Sequence, residues 1–256
     1  MHRPHAALPV VNDGFVGGRR VVLEAVRAGR ADEVLIARES SSNQTLRELA
    51  DRCREIGLVP RRVARAELDR LAPDHQGVVA RISAPDPIGE RALSEWEFGD
   101  QDVVVALDGI VDPHNLGAAA RSAEAAGAVL LLTRSRRAAD VTPAAIRASA
   151  GALLHLRRAR VANIPRALAR LQDVGFTVVG LDAGAHASVY DEPCPAGRVA
   201  LVLGSEGAGL SRLGRQACDV LVRLPMRGRV GSMNASASLA AALYAYVLPS
   251  RVEDRA

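Results

Sequence analysis

Leu203-Gly-Ser-Glu-Gly-Ala-Gly-Leu210, followed shortly by Leu224-Pro-Met-Arg-Gly-Arg-Val-Gly-Ser-Met-Asn234, decides how this chain is read. Each stretch carries an apolar strand, expected over 199–203 and 220–224, out into a glycine-rich loop. The second loop opens a helix rich in small residues, expected over 235–248. Backbone N–H and C=O groups exposed at a sheet edge can grip a small polar ligand. With Glu206, Ser232 and Asn234 aboard, the two loops read as a cofactor cradle rather than as two ordinary turns.

Upstream of the cradle, apolar strands expected over 102–107, 128–133, 153–159 and 176–181 alternate with helices over 115–126, 143–150 and 164–173; a short helix over 211–217 parts the last two strands. Fully apolar strands alternating with helices predict an α/β fold with a parallel sheet covered on both faces. Nearer the N-terminus, helices over 19–28, 45–56 and 66–71 alternate with strands over 33–37, 58–63 and 77–82. They make a second α/β unit of roughly 70 residues, enough to fold alone. Ala84-Pro-Asp-Pro-Ile-Gly89 and the acidic run to Asp100 read as a connector that Trp96 and Phe98 dock onto a neighbour. The expected division is a flexible tail over 1–12 (with Pro4 and Pro9), a small domain over 13–83, a linker over 84–100 and a large domain over 101–250.

Composition narrows the chemistry. A chain of 256 residues, 48% hydrophobic, can bury a substantial core. It has no apolar run long enough for a bilayer and no signal-peptide pattern, so no membrane partner is expected. Cys53, Cys194 and Cys218 form no Cys-x-x-Cys pair, which argues against a disulfide framework or zinc knuckle and for a reducing cytoplasm. His75 and His114 lack partners at metal spacing, so no metal is expected. All 33 basic residues are arginine, as a GC-rich genome would encode them. The missing lysine excludes a P-loop, a kinase and a Schiff-base enzyme.

A pI near 9.5 permits a nucleic-acid partner. Residues 1–82 carry 14 arginines against 11 acids and 101–256 carry 18 against 13, with an acidic stretch between. Only 3% of residues are aromatic, so nucleic acid would be gripped through backbone and shape rather than by base stacking. The clusters Arg134/Arg136/Arg137 and Arg157/Arg158/Arg160 read by default as solvated faces.

The first large-domain strand runs into Asp108-Gly-Ile-Val-Asp-Pro-His-Asn-Leu-Gly117, which lacks the Gly-x-Gly-x-x-Gly spacing of a dinucleotide fold. In Asn115-Leu-Gly-Ala-Ala-Ala-Arg121, Asn115 reads as a helix N-cap, Gly117 as a close-packing site, and Arg121 as a side chain projecting from the second turn. Each residue also has a plain structural reading. Arg121 suits an ion-paired surface, Glu206 the N-terminus of the helix near Ser211, and Ser232 and Asn234 the cap of the last helix.

Taken together, Asn115-x-Gly-x-x-x-Arg121, Leu203-Gly-Ser-Glu-Gly-x-Gly-Leu210 and Leu224-Pro-Met…Ser232-Met-Asn234 resemble the three signature motifs of the SpoU (TrmH-type) RNA ribose 2′-O-methyltransferases. Gly18-Arg-Arg-Val-Val-Leu-Glu-Ala-Val26 and Asp74-His-Gln-Gly-Val-Val-Ala80 resemble the substrate-binding domain of the bacterial 23S rRNA guanosine methyltransferases in that family. The resemblance implies an L30e-like RNA-binding domain followed by a SPOUT domain with a deep trefoil knot, in a homodimer that binds S-adenosylmethionine and RNA, 23S rRNA in the first place. It further implies cofactor contacts from Leu203, Gly204, Gly209, Leu224, Met226 and Met233, and a catalytic set of Asn115, Arg121, Glu206, Ser232 and Asn234. Met233 stands where the family usually has leucine, a volume-conserving change. A tRNA guanosine, an antibiotic-resistance rRNA target, or a silent RNA-binding protein of the same fold are the competing readings.

Overall fold

A computed structural model describes residues 14–40, 43–229 and 231–252; the tail expected over 1–12 lies outside them. Among the described residues the strands fall into two sheets, one of four strands and one of eight.

The smaller sheet takes its strands from β1 (Gly14–Gly17), β2 (Ala31–Ala37), β3 (Arg61–Val63) and β4 (Val78–Ile82), in the order β1-β4-β2-β3. Helices α1 (Arg19–Arg27), α2 (Gln44–Glu55) and α3 (Arg65–Leu71) pack on it. The α2 stripe of Leu46, Leu49 and Cys53 is buried, and Asn43 caps the helix by accepting from the Leu46 N–H at 2.9 Å. β1 had no signal in the sequence. Its Gly-Phe-Val-Gly has no alternation to read, and pairing with β4 recruits it, Gly14 opposite Ile82.

The segment read as a connector is part of the larger sheet. β5 (Ile88–Gly89) adds to that sheet's edge, and α4 (Glu90–Ser94) is pinned by Glu90, whose Oε1 pairs with Arg166 at 2.7 Å and Arg170 at 3.0 Å. Phe98 meets Phe176 edge-on at 4.8 Å, with Trp96 beside it, as the docking reading expects.

Next come β6 (Val103–Asp108), α5 (Pro113–Ala125), β7 (Leu130–Arg134), α6 (Pro143–Ala148), β8 (Arg157–Val161) and α7 (Ile164–Asp173). β9 (Phe176–Leu181), β10 (Ala187–Ser188), β11 (Arg198–Gly204), α8 (Arg212–Gln216), β12 (Val220–Arg223), α9 (Ala235–Ala242) and α10 (Pro249–Val252) complete the described chain. The order is β10-β12-β9-β11-β6-β7-β8-β5 and every neighbouring pair is parallel. β6 is buried along its whole length. Leu116, Ala145 and Leu239 of α5, α6 and α9 cover one face; Ile164, Leu168 and Leu171 of α7 cover the other.

Further elements differ from the sequence reading; the strand expected over 58–63 is reduced to β3. The strand expected over 153–159 begins only at Arg157, because Ala152–Leu154 form a 3-10 turn. The closing helix is not continuous: α9 widens into a π turn at Leu243–Val247, and Pro249 starts α10.

One apolar core runs through both halves, from Val22 and Leu49 to Leu116 and Leu239. Where they meet, Gly14 lies against Pro143, Arg147 donates to the Pro73 carbonyl at 3.2 Å, and His155 reaches Glu24 at 3.1 Å. Gly151, at φ +96°, leaves no room for a side chain, since a Cβ would stand 2.6 Å from Glu24 Cβ.

Candidate active site at the carboxyl edge of the large sheet

α5 starts two residues earlier than expected. Pro113 takes the first helical position and Asp112 is the cap, accepting from the His114 N–H at 3.0 Å. Asn115 is therefore inside the first turn, buried, with its amide freed from capping. Gly117 is where α5 meets α6: a Cβ there would stand 2.4 Å from the Ala145 carbonyl oxygen.

The loop after β11 closes on itself. Ser205 donates to the Gly209 carbonyl at 3.0 Å, Gly209 donates back at 2.9 Å, and Gly207 and Gly209 take the left-handed φ values of +77° and +65° that the turn requires. Glu206 thereby stands at the loop tip, above the end of its strand. On the other side Asn234 caps α9, its Oδ1 accepting from Ser236 N–H at 2.9 Å and Ala237 N–H at 3.3 Å.

These elements bring three side chains from distant parts of the sequence together. Glu206 Oε1 accepts from Asn115 Nδ2 and from Asn234 Nδ2, each at 2.9 Å, and Asn234 Nδ2 also donates to Asn115 Oδ1 at 2.9 Å. Asn234 thus caps α9 with its Oδ1 and reaches the cluster with its Nδ2, the opposite ends of one amide.

Beside the cluster lies a cleft of about 400 Å³. Leu203, Gly204, Gly209, Leu224, Met226 and Met233 line it, and so do Glu206, Ser232 and Asn234. Its walls are the carboxyl ends of β12, β9 and β11, adjacent in the sheet, which is where open parallel sheets bind ligands. The third strand end was missed in the sequence. Leu181, Asp182 and Ala183 follow β9 and line the cleft, with Ser205, Ala235 and Ser238. Asp182 is buried, held by Arg215 at 2.7 Å and by the Gly184 N–H at 2.8 Å. An acid directly after an apolar strand was the available signal, but its value rests on β9 lying between β11 and β12, which local sequence does not reveal.

Arg121 is not in this cleft. Six residues beyond Asn115, it is about 9 Å further along the helix and on another face. It is exposed and lines a separate hollow with Arg20, Glu24, Ser149 and His155. Among the described residues no group of three or more His, Cys, Asp or Glu side chains could hold a metal ion, and no helix is long and apolar enough to cross a membrane.

Residues 102–244, which hold the whole cluster and cleft, match the SpoU rRNA Methylase family. The chain belongs to that family. Residues 15–88, which hold nearly all of the smaller sheet, match the RNA 2′-O ribose methyltransferase substrate binding family, and the chain is a SpoU-type RNA 2′-O-ribose methyltransferase. Among curated relatives, the SpoU chain is 41% identical over 230 residues to an uncharacterized tRNA/rRNA methyltransferase of Mycolicibacterium vanbaalenii, covering 87% of this chain and 72% of that one. It is 34% identical over 218 residues to the 23S rRNA (guanosine-2′-O-)-methyltransferase RlmB of Photobacterium profundum, covering 84% and 88%. Among solved structures it resembles the SpoU methyltransferase AviRb of Streptomyces viridochromogenes in complex with AdoMet, with TM-score 0.72 and 28% identity over 93% of this chain and 90% of that one.

Proposed function

We propose that the chain transfers a methyl group from S-adenosylmethionine to the 2′-oxygen of a guanosine ribose in 23S rRNA. The Asn115–Glu206–Asn234 cluster at the side of the strand-end cleft carries this reading. The guanosine-specific relative supports the target, and the AdoMet complex of AviRb supports the cofactor.

The cleft fits the cofactor. Its volume of about 400 Å³ lies within the 300–1,000 Å³ common for small-ligand sites. Leu203, Leu224, Met226 and Met233 offer apolar surface for an adenine, and the strand-end backbone beside Gly204 offers its polar groups to the rest. S-adenosylmethionine would supply a methyl on a sulfonium, an electrophile open to in-line attack by an oxygen.

The residues then have mainly to orient and to neutralise. Glu206, tied through Oε1 to two amides, is held rigidly enough to fix the target hydroxyl, and Ser232 lines the same side. Arg121 clamps the target phosphate through its guanidinium fork and stabilises the forming alkoxide, while the proton leaves through phosphate or water. Since Arg121 faces away from its own cleft, it serves the cleft of a second copy in a homodimer. α5 and α9 pack side by side and offer that copy small residues, among them Ala118, Ala237 and Ala241, with the exposed Tyr244. The setting is the cytoplasm, where the rRNA is.

Labelled methyl transfer to 23S rRNA, 50S particles and tRNA, with mapping of the modified ribose, tests the assignment. Label on a guanosine 2′-oxygen of 23S rRNA is expected. Label confined to tRNA would move the target, and no AdoMet binding by calorimetry would end the enzymatic reading.

A further inference from the structure

Five arginines lie on or just after β7 and β8, on the far side of β6 from the cleft, and nothing in the chemistry above uses them. Arg134 ends β7, Arg136 and Arg137 stand exposed in the loop after it, and Arg158 and Arg160 lie two apart on β8, hence on one face.

Arg158 departs most from the solvated face expected of the sequence. It is only 8% exposed and makes no hydrogen bond among the described residues. Its nearest carboxylate oxygen, Asp140 Oδ1, stands 3.8 Å from Arg158 Nη1 and 3.8 Å from Arg160 Nη1. Both distances exceed hydrogen-bond reach, and the same oxygen already accepts from the Val141 N–H at 3.0 Å. Burial pushes the Arg158 guanidinium below its ordinary range; Asp140 offsets part of this, and Arg160 adds to it.

The other members are only partly neutralised. Arg134 pairs with the buried Asp108 at 2.7 Å, and Arg160 donates from Nη2 to the Ser135 carbonyl at 2.8 Å while its Nη1 stays directed at Asp140. Five guanidinium groups thus meet two carboxylates. A buried cation whose one carboxylate partner is exposed, shared with Arg160 and beyond hydrogen-bond reach is costly to fold. Two guanidinium forks converging on one exposed carboxylate, each too far for a bond, describe an anion site in which Asp140 keeps the charges apart until a better anion arrives.

We propose that Arg158 and Arg160, with Arg134, Arg136 and Arg137 around them, hold a backbone phosphate of the substrate RNA beside the nucleotide that is methylated. The inference rests on the RNA methyl-transfer reading above and deepens it. Arg160, in register with Thr133 and Leu107, lies two strands from the end of β6, roughly 10 Å along the sheet edge that carries Asn115 and Glu206, and Arg158 is set two residues further back on the same face. The guanidinium fork matches phosphate geometry, and with so few aromatics the grip on RNA falls to backbone contacts.

Arg158→Met and Arg160→Met, singly and together, test this in the full-length protein. Methionine keeps apolar bulk and removes the buried charge, so Arg158→Met is expected to fold at least as stably as the parent. Binding to a 23S rRNA transcript and to unfractionated tRNA is measured from 50 to 300 mM KCl. Each variant is expected to weaken RNA binding about ten-fold or more at low salt and to lower the slope of log K against log[KCl] by about 0.7 to 0.9. KM for RNA rises while AdoMet affinity by calorimetry stays within two-fold. Folded variants with parental RNA affinity and slope would overturn the proposal, as would weaker binding of inorganic phosphate with RNA binding intact. Should Arg158→Met unfold, the partly exposed Arg160→Met decides alone. A parent that binds RNA through these arginines yet takes no AdoMet would sink the methyl-transfer reading and leave the phosphate site standing.

Discussion

Alanine at Gly204 puts the cofactor cradle itself under test. A Cβ at this position would stand 2.0 Å from the carbonyl carbon of Gly209, 2.2 Å from its oxygen and 2.3 Å from the Leu210 nitrogen. Ordinary carbon contacts lie near 3.5–4.0 Å, so the 205–209 loop must move away by roughly 1.5 Å. Every offending atom is backbone, and no side chain can rotate out of the way. The displacement breaks the reciprocal Ser205–Gly209 hydrogen bonds, at about 0.5–1.5 kcal/mol each, and adds an overpacking cost of about 1–3 kcal/mol. A loss of about 2–6 kcal/mol lowers the melting temperature by roughly 5–20 °C in a chain of this size. Glu206 rides on the displaced loop, so the variant should lose AdoMet binding in calorimetry even well below its melting point. Gly207→Ala is the control. Nothing lies within 4 Å of a Cβ there, and only the φ of +77° resists, at about 1–2 kcal/mol. A Gly204→Ala protein that melted within 2 °C of the parent and bound AdoMet within three-fold would refute the cradle.

Glu206→Ala removes the oxygen shared by Asn115 and Asn234 and should cut methyl transfer at saturating substrates by about 10²-fold or more, against a few-fold change in AdoMet affinity. If a second copy supplies Arg121, Arg121→Ala and Glu206→Ala proteins, each inactive, should regain activity when dissociated and reassociated together, up to about a quarter of the parental rate for a two-fold dimer; an inactive mixture counts against a shared site. Burial, helped by Asp219, Asp182 and Asp108, pushes the Cys218 thiol up to about 12. The native protein at pH 8 should therefore react with a disulfide reagent at this position far more slowly than the urea-unfolded chain. Raised above its unfolded value, the same thiol contributes stability that is fully present below about pH 9 and lost as pH rises toward 12; replacing Cys218 with alanine should flatten that alkaline decline in denaturant titrations.

The order of strands and helices was legible because each element writes its own periodicity, as in the fully buried β6 and the Leu46/Leu49/Cys53 stripe of α2. Elements that exist only through a partner were not. β1 and the two-residue β5 are too short to show a pattern, and their pairings with β4 and β8 are tertiary facts. In the site, Glu206, Ser232 and Asn234 stood out because their loops are glycine-rich. Asn115 was found but given the wrong local role, since Pro113 fixes the helix start two residues earlier. Asp182 and the buried Arg158 escaped for one reason: the meaning of each depends on neighbouring strands far away in sequence.

The shared interior of the two halves has a bearing on target choice. With Pro143 seated on Gly14 and Glu24 seated on Gly151, the smaller sheet has little freedom to swing. On the proposed function, a transcript held there would meet the cleft at a set span, and length along the folded strand would help to select the sugar before any base edge is read.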